Sequence, residues 1–402
     1  MKFEDFGFDG RIADAIRRKG YEAPSPIQEQ AIPPALLGRD ILGCAQTGTG
    51  KTCAFAVPIL HRLTHNPCPQ SGGGAQRPRA LILTPTRELA MQIDESFADY
   101  GMYLPLRLGL VMGGVDQGGQ VRALDAGVDI LTATPGRLLD LIWQGRTSLS
   151  YVEIFVLDEA DRMLDMGFLP DVRSIIDFLP EKRQTLFFSA TMPPEVQKLT
   201  DTLLRDPVRV AVTPVSSTVD TIEQWVCMTD KAAKADLLIY TLRNCGVESA
   251  LIFTRTKHGA DNLTGKLKKA GIRAAAIHGD KSQGARQTAL NDFKRGSCSA
   301  LVATDIAARG LDIDDISHVI NYEIPNEPET YVHRIGRTGR MGKDGMAISF
   351  CDVGEKQYLA DIEKLIKKKI NVAEDHPYPM TVFTKSAPKP PPRRPRSFRG
   401  GK

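Results

Sequence analysis

The chain has 402 residues, 42% apolar and 25% charged, with a net charge of +4 at pH 7. These are ordinary globular proportions, the length suits two domains, and no run approaches the roughly 18 consecutive apolar residues of a membrane-spanning helix. The start, MKFEDFGFDG, carries acid early and has no apolar core, so it does not read as a secretory signal. Seven Cys without a C-x-x-C pair read as reduced thiols rather than a disulfide or zinc framework. A cytoplasmic, soluble protein is expected.

In chain order, short β-rich apolar runs alternate with helical patterns, the mark of parallel sheets covered by helices. The first series is DILGCA (40–45), ALILTP (80–85), LGLVMG (108–113), DILTATP (129–135), EIFVLDE (153–159), TLFFSAT (185–191) and PVRVAV (207–212). A polar, aperiodic stretch follows, and then a second series: ALIFTR (250–255), AAAIHG (274–279), ALVATD (300–305), HVINYE (318–323) and MAISFC (346–351), closed by a helix over roughly 355–370. The predicted division is residues 1–212, a linker at 213–219, a second domain at 220–375 and a tail at 376–402. Residues 385–402 hold seven Lys or Arg and no acid. The remainder therefore has 52 − 7 = 45 basic against 48 acidic residues, and the positive charge belongs to the tail. Its Pro density predicts disorder, and its cations suit either an electrostatic nucleic-acid arm or a solubilising end.

Open parallel sheets bind ligands beyond the carboxyl ends of their strands. AQTGTGKT (45–52) follows the first strand and matches G-x-x-x-x-G-K-[ST], with Ala45 in the first position. Gly48 and Gly50 let backbone N–H groups converge on phosphate, Lys51 reaches the β- and γ-phosphates, and the Thr52 hydroxyl suits Mg2+. An incidental Gly-Lys-Thr in a loop is the competing explanation. FVLDEAD (155–161) ends a later strand in acid. Asp158 suits Mg2+ through water and Glu159 suits polarisation of the attacking water, whereas acids at an ordinary helix start are the bland alternative. YVHRIGRTGR (331–340) gathers His333, Arg334, Arg337 and Arg340, and helical spacing would place His333, Arg337 and Arg340 on one face. Gly336 and Gly339 are poor helix residues, which argues for a close approach there.

The chain resembles the DEAD-box RNA helicases over about residues 3–352. The motifs are GYEAPSPIQ (20–28), AQTGTGKT, PTRELA (85–90), Gly113-Gly114, TPGR (134–137), DEAD, SAT (189–191), LIFTRT, QGAR (283–286), ATDIAARGLD (303–312) and HRIGRTGR (333–340). That family's own phosphate loop also begins with Ala. The resemblance implies two RecA-like α/β domains, each a mainly parallel sheet flanked by helices, joined by a short linker. It implies ATP and Mg2+ as ligands and RNA-stimulated hydrolysis that unwinds short duplexes and remodels RNA or RNA–protein complexes. Gln28 would read the adenine edge and Phe3 stack on the base. Thr47, Gly48, Thr49, Gly50, Lys51, Thr52, Gly310 and Asp312 would hold the nucleotide, with Thr52 and Asp158 on Mg2+.

By the same resemblance, Arg337 and Arg340 are arginine fingers, while His333 couples to the DEAD segment and to SAT. Arg334 is left for a structural ion pair. Ser189, Thr191 and Asp161 link the domains. Thr86, Arg87, Gly114, Thr134, Gly136, Arg137, Gly279, Arg286 and Thr304 would line the RNA path without reading bases. The HPYP exit and the basic extension are similar to the bacterial RhlE type. Ribosome precursors and RNA-degradation machinery fit such an engine, as does a monomeric state. An ATP-gated RNA clamp and a DNA helicase are the alternatives, the latter disfavoured by the Q motif together with DEAD and SAT.

Overall fold

The computed structural model describes residues 2–45, 48–66, 77–211, 222–308, 316–339 and 345–383. The predicted linker, residues 67–76 and the chain from 384 onward lie outside them. The first unit holds β1 (Ile41–Cys44), β2 (Ala80–Leu83), β3 (Leu108–Val111), β4 (Ile130–Ala133), β5 (Ile154–Leu157), β6 (Gln184–Ser189) and β7 (Val208–Ala211). The second holds β8 (Ile222–Met228), β9 (Ala250–Thr254), β10 (Ala274–Ile277), β11 (Ala300–Thr304), β12 (His318–Asn321), β13 (Gly345–Cys351) and β14 (Asn371–Val372).

All described pairings are parallel, and the orders are β3-β4-β2-β5-β6-β1-β7 and β10-β11-β9-β12-β13-β8-β14. Subtracting seven from every number in the second order reproduces the first. The two units therefore share one topology, as the RecA-like expectation requires.

The central strands are apolar throughout because both their faces are covered. In β2, Ala80 and Ile82 enter a core with the helices Pro26–Leu36, Lys51–His65 and Arg87–Tyr100, while Leu81 and Leu83 enter another on the opposite face. Ile154 and Val156 of β5 pack on the first side, Phe155 and Leu157 on the second. Because the described pairings are all parallel, the carboxyl ends of the strands lie at the same edge of each sheet, and the polar motifs lie there.

Most predicted runs extend past the strands they contain: β5 stops at Leu157 and β2 at Leu83, so DE and TP belong to the following loops. Two strands are absent from the predicted runs, the two-residue β14 and the longer β8. β8, IEQWVCM, is interrupted by Glu223 and Gln224, which hides it from an apolar count, yet Gln224 is buried and accepts a 2.9 Å hydrogen bond from the Tyr331 hydroxyl. The last helix ends at Ile366 rather than near 370, because Lys367 turns left-handed at φ 54°.

Candidate nucleotide and RNA site

The phosphate loop leaves β1 through Ala45, whose N–H donates to the Ser189 carbonyl at 3.2 Å. Gly48 and Gly50 are left-handed at φ 82° and 94°, and the helix Lys51–His65 begins directly after them. Thr49 and the half-buried Thr52 flank Lys51, while Thr47 lies outside the described residues. Lys51 is buried, donates to the Ala45 carbonyl at 3.0 Å and stands 3.7 Å from Asp158 Oδ1. Gln28 braces the loop: its Nε2 donates to the Gly50 carbonyl at 3.1 Å and its Oε1 accepts from Ser25 N at 2.8 Å. Ser25 Oγ donates to the Thr49 carbonyl at 2.7 Å. Thus Ser25, which was not singled out in the sequence, fixes the Q motif to the loop. Phe3 is buried beside Phe6 and Tyr21, with ring centroids 6.1 and 6.5 Å away.

Opposite the loop, Asp158 and Glu159 follow β5 and are both buried. Asp158 Oδ1 and Glu159 Oε1 have no hydrogen-bond partner, although buried carboxylate oxygens are normally satisfied. Burial pushes the Asp158 carboxyl up, and the Lys51 charge opposes that rise. A buried acceptor beside a lysine and a helix start suits a divalent cation carried by a nucleotide, so the residues present fit Mg2+. Glu159 sits at φ 56°, ψ 50°, a left-handed geometry costly for a non-glycine residue, and its side chain makes no capping hydrogen bond to the helix that follows. Its Oε2 accepts from Arg162 Nη1 at 2.5 Å.

Asp161 turns the other way. Its Oδ2 accepts from Thr191 N and Thr191 Oγ1, both at 2.8 Å, and its own N–H donates to Ser189 Oγ at 3.2 Å. Burial alone would raise the Asp161 carboxyl, but the Thr191 hydrogen bonds hold it below its ordinary value. DEAD and SAT are therefore mechanically joined. Cys53, beside the loop, is a packed thiol pushed up to about 12 by burial, which leaves it unreactive.

In the second unit, the helix Pro328–Ile335 ends before Arg337, so His333 and Arg337 do not share a helical face. Arg337 lies buried in the turn that follows, beside a small cleft lined also by His333, Asp305 and Thr330. Arg340, Gly310 and Asp312 fall outside the described residues. Gly339 answers to its own fold: at φ 68°, a β-carbon there would come within 2.8 Å of Ile222 Cγ1, so strand packing rather than a ligand forbids a side chain. Arg334 makes the structural pair foreseen for it. It bonds Asp305 through Nε at 2.6 Å and Nη2 at 2.8 Å, and lies 4.9 Å from the Phe253 ring centre.

Between the units lies a cavity of about 250 Å³. Thr86, Arg87, Thr134, Gly136 and Arg137 line it from the first unit, and Gly279 and Arg286 from the second. Thr304 is buried at the end of β11 and is not among the lining residues. Gly114 acts from behind: it is left-handed at φ 75°, and a β-carbon there would lie 2.0 Å from Arg87 Nη1. Gly114→Val therefore displaces the guanidinium. Loss of one charged hydrogen bond, about 1.5–3 kcal/mol, predicts at least roughly tenfold weaker binding of single-stranded RNA. Fluorescence anisotropy measures it, and an unchanged affinity would remove Arg87 from the RNA path. Glu88 and Gln283, not foreseen from sequence, are buried at the same place. Glu88 opens the helix Arg87–Tyr100, where an acid reads as an ordinary complement to the helix dipole.

Two RecA-like units with a phosphate loop, a paired carboxylate and a shared polar cleft define a nucleotide-driven, two-domain machine. The DEAD/DEAH box helicase family matches residues 25–199 and the helicase conserved C-terminal domain matches 233–342. The chain is 43% identical over 369 residues to the ATP-dependent RNA helicase CshA of Listeria monocytogenes, covering 92% of this chain and 69% of that one. It is 44% identical over 370 residues to the ATP-dependent RNA helicase DBP2 of Candida albicans, covering 91% and 65%. The solved structure of S. cerevisiae Dbp5 bound to RNA and ADP BeF3 superposes with a TM-score of 0.81 at 32% identity, over 92% of this chain and 95% of that one. A DEAD box protein from Methanococcus jannaschii gives a TM-score of 0.53 at 37% identity, over 93% and 99%. The chain belongs to the DEAD-box helicase family.

Proposed function

We propose that this protein is an RNA-stimulated ATPase that closes its two units on ATP and single-stranded RNA, and thereby opens short duplexes and remodels RNA–protein complexes. The observation that carries this reading is the cleft between the units, lined by polar and basic residues of both, suited to gripping an RNA backbone, with Phe168 its single aromatic lining residue. Lys51, the glycines of the phosphate loop and Gln28 bind the nucleotide. Asp158 and Thr52 would hold Mg2+, which would neutralise charge on the phosphates. Glu159 takes the proton of the attacking water. Arg337, with Arg340, stabilises charge on the transferred phosphoryl group, and His333 with Asp161, Ser189 and Thr191 ties that chemistry to closure. Residues 213–219 serve as the hinge and the basic tail as an RNA tether.

Among the described residues no helix is long and apolar enough to cross a membrane. A monomer acting in the cytoplasm on ribosome precursors or RNA-degradation substrates fits this engine, and the RhlE-type assignment rests on the HPYP exit and the basic extension.

Steady-state ATP hydrolysis with and without single-stranded RNA tests the reading, with Lys51→Ala as the blank. Stimulation by RNA and not by DNA, abolished in Lys51→Ala, is expected. Equal rates with and without RNA would sink it, and ATP-dependent RNA retention without hydrolysis would describe a clamp instead.

A further inference from the structure

Glu88 belongs to the first unit, and Gln283 and Arg286 belong to the second. Gln283 and Arg286 are spaced i, i+3 on the helix Gln283–Lys294 and so share a face. That face meets Glu88 across the cleft: Arg286 Nη2 lies 2.9 Å from Glu88 Oε1, and Gln283 Nε2 donates to the same oxygen at 3.0 Å. Gln283 also reaches Met91, at 3.9 Å from its sulfur. Glu88 is 4% exposed and its two partners 8% each, so this is an ion pair removed from water.

A contact between units stabilises their approach, not the folding of either one. Its charge arithmetic is also specific. Arg87 and Arg286 stand close enough that each repels the other, and Glu88 is the acid that answers Arg286. Deleting that acid would leave the buried Arg286 guanidinium with the repulsion of Arg87 and without the carboxylate that offsets it. The contact also leaves bonding capacity unused, since Glu88 Oε2, Gln283 Oε1 and Arg286 Nε are buried without partners.

We propose that Glu88 is a positioning residue for RNA-coupled hydrolysis: it latches Gln283 and Arg286 onto the first unit, favouring the closed arrangement and holding Arg286 at the RNA cleft. The proposal rests on the RNA-stimulated ATPase reading above. It assigns to the PTRELA segment a role in closure in addition to its place beside the RNA.

The test is a double-mutant cycle on the full chain with Glu88→Gln, Arg286→Gln and both together. The readout is the concentration of single-stranded RNA that gives half-maximal ATPase stimulation. Each single change is expected to raise it about tenfold, and the double change little further, because both remove the same contact. The rate at saturating RNA should fall less than twofold in Glu88→Gln, and nucleotide affinity without RNA should be unchanged, which separates a latch from a folding defect. Additive effects, near a hundredfold in the double variant, would overturn the latch. A lower half-saturation in Glu88→Gln would overturn it too, by showing a carboxylate that merely repels phosphate. Should the wild-type chain show no RNA stimulation, the functional reading fails. Small-angle X-ray scattering with ADP·BeF3 then decides the latch by itself: compaction lost in Glu88→Gln supports it, and equal compaction overturns it.

Discussion

Glu159→Gln should hydrolyse ATP about 10²–10⁴-fold more slowly than the wild-type chain while still binding ATP and RNA. The substitution keeps the shape of the side chain and its place in the fold. Glu159 Oε2 accepts from Arg162, and an amide oxygen can do the same. The change acts at Oε1, which is buried, unpartnered and held by a left-handed backbone beside Asp158. A carboxylate there can take a proton from water, and an amide cannot. The closed complex should therefore form and persist. Phosphate release measures the rate, and filter retention of labelled RNA with ATP measures the trapped state. Hydrolysis at the wild-type rate would show that another group serves as base.

Lys234→Met should destabilise the second unit by about 3–5 kcal/mol, the usual loss when one member of a buried ion pair is removed. Lys234 is 1% exposed and opens the helix Lys234–Asn244. Its Nζ donates to the Phe350 carbonyl at 2.9 Å, lies 3.4 Å from Asp352 Oδ2 and bonds Glu355 Oε2 directly. Arg255 reaches the other Glu355 oxygen at 2.6 Å, so one carboxylate ties two cations together. Burial pushes the Glu355 carboxyl up, and Lys234 is the first group that pulls it back.

Without Lys234 that carboxyl rises further, and its folded value moves further above its unfolded one. The folded state then holds a proton that the unfolded state releases. The deficit is smallest below the unfolded value and grows as pH rises through the folded one. Denaturant unfolding at acid and neutral pH, followed on the second unit's transition, should show the larger loss at neutral pH. A change under 1 kcal/mol at both would mean that the cluster is solvated.

The sequence carried most of the architecture because the central strands are buried on both faces and hence read as unbroken apolar runs. β2 and β5 are such cases. β8 was illegible for the opposite reason. Its Glu223 faces solvent and bonds Trp225 nearby, while the buried Gln224 makes sense only against a partner distant in sequence, Tyr331. The site divides in the same way. Phosphate chemistry demands a local arrangement of glycines, lysine and carboxylates, so Gly48 to Thr52 and Asp158 to Asp161 announce themselves. Glu88 does not, because its partners are 195 and 198 residues away and nothing in PTRELA distinguishes an acid that caps a helix from one that reaches another unit. Helical periodicity places Arg337 on the face of His333, but the helix ends at Ile335 with Gly336 as its cap, two residues short of Arg337.

The shared topology of the two sheets has one more consequence. β8 occupies in the second sheet the place that β1 occupies in the first, and Lys234 opens the following helix as Lys51 does. Residues 45–50 separate β1 from its helix, and 229–233 separate β8 from its own. The second connection, TDKAA, has no glycine to converge N–H groups on phosphate, and Lys234, which follows it, is already neutralised by Asp352 and Glu355. A triphosphate entering there would have to evict two carboxylates from a buried ammonium. The duplicated scaffold thus carries one loading chamber and one sealed copy. The expected stoichiometry is therefore one nucleotide bound per chain, with no second phosphate loop among the described residues to fire in alternation.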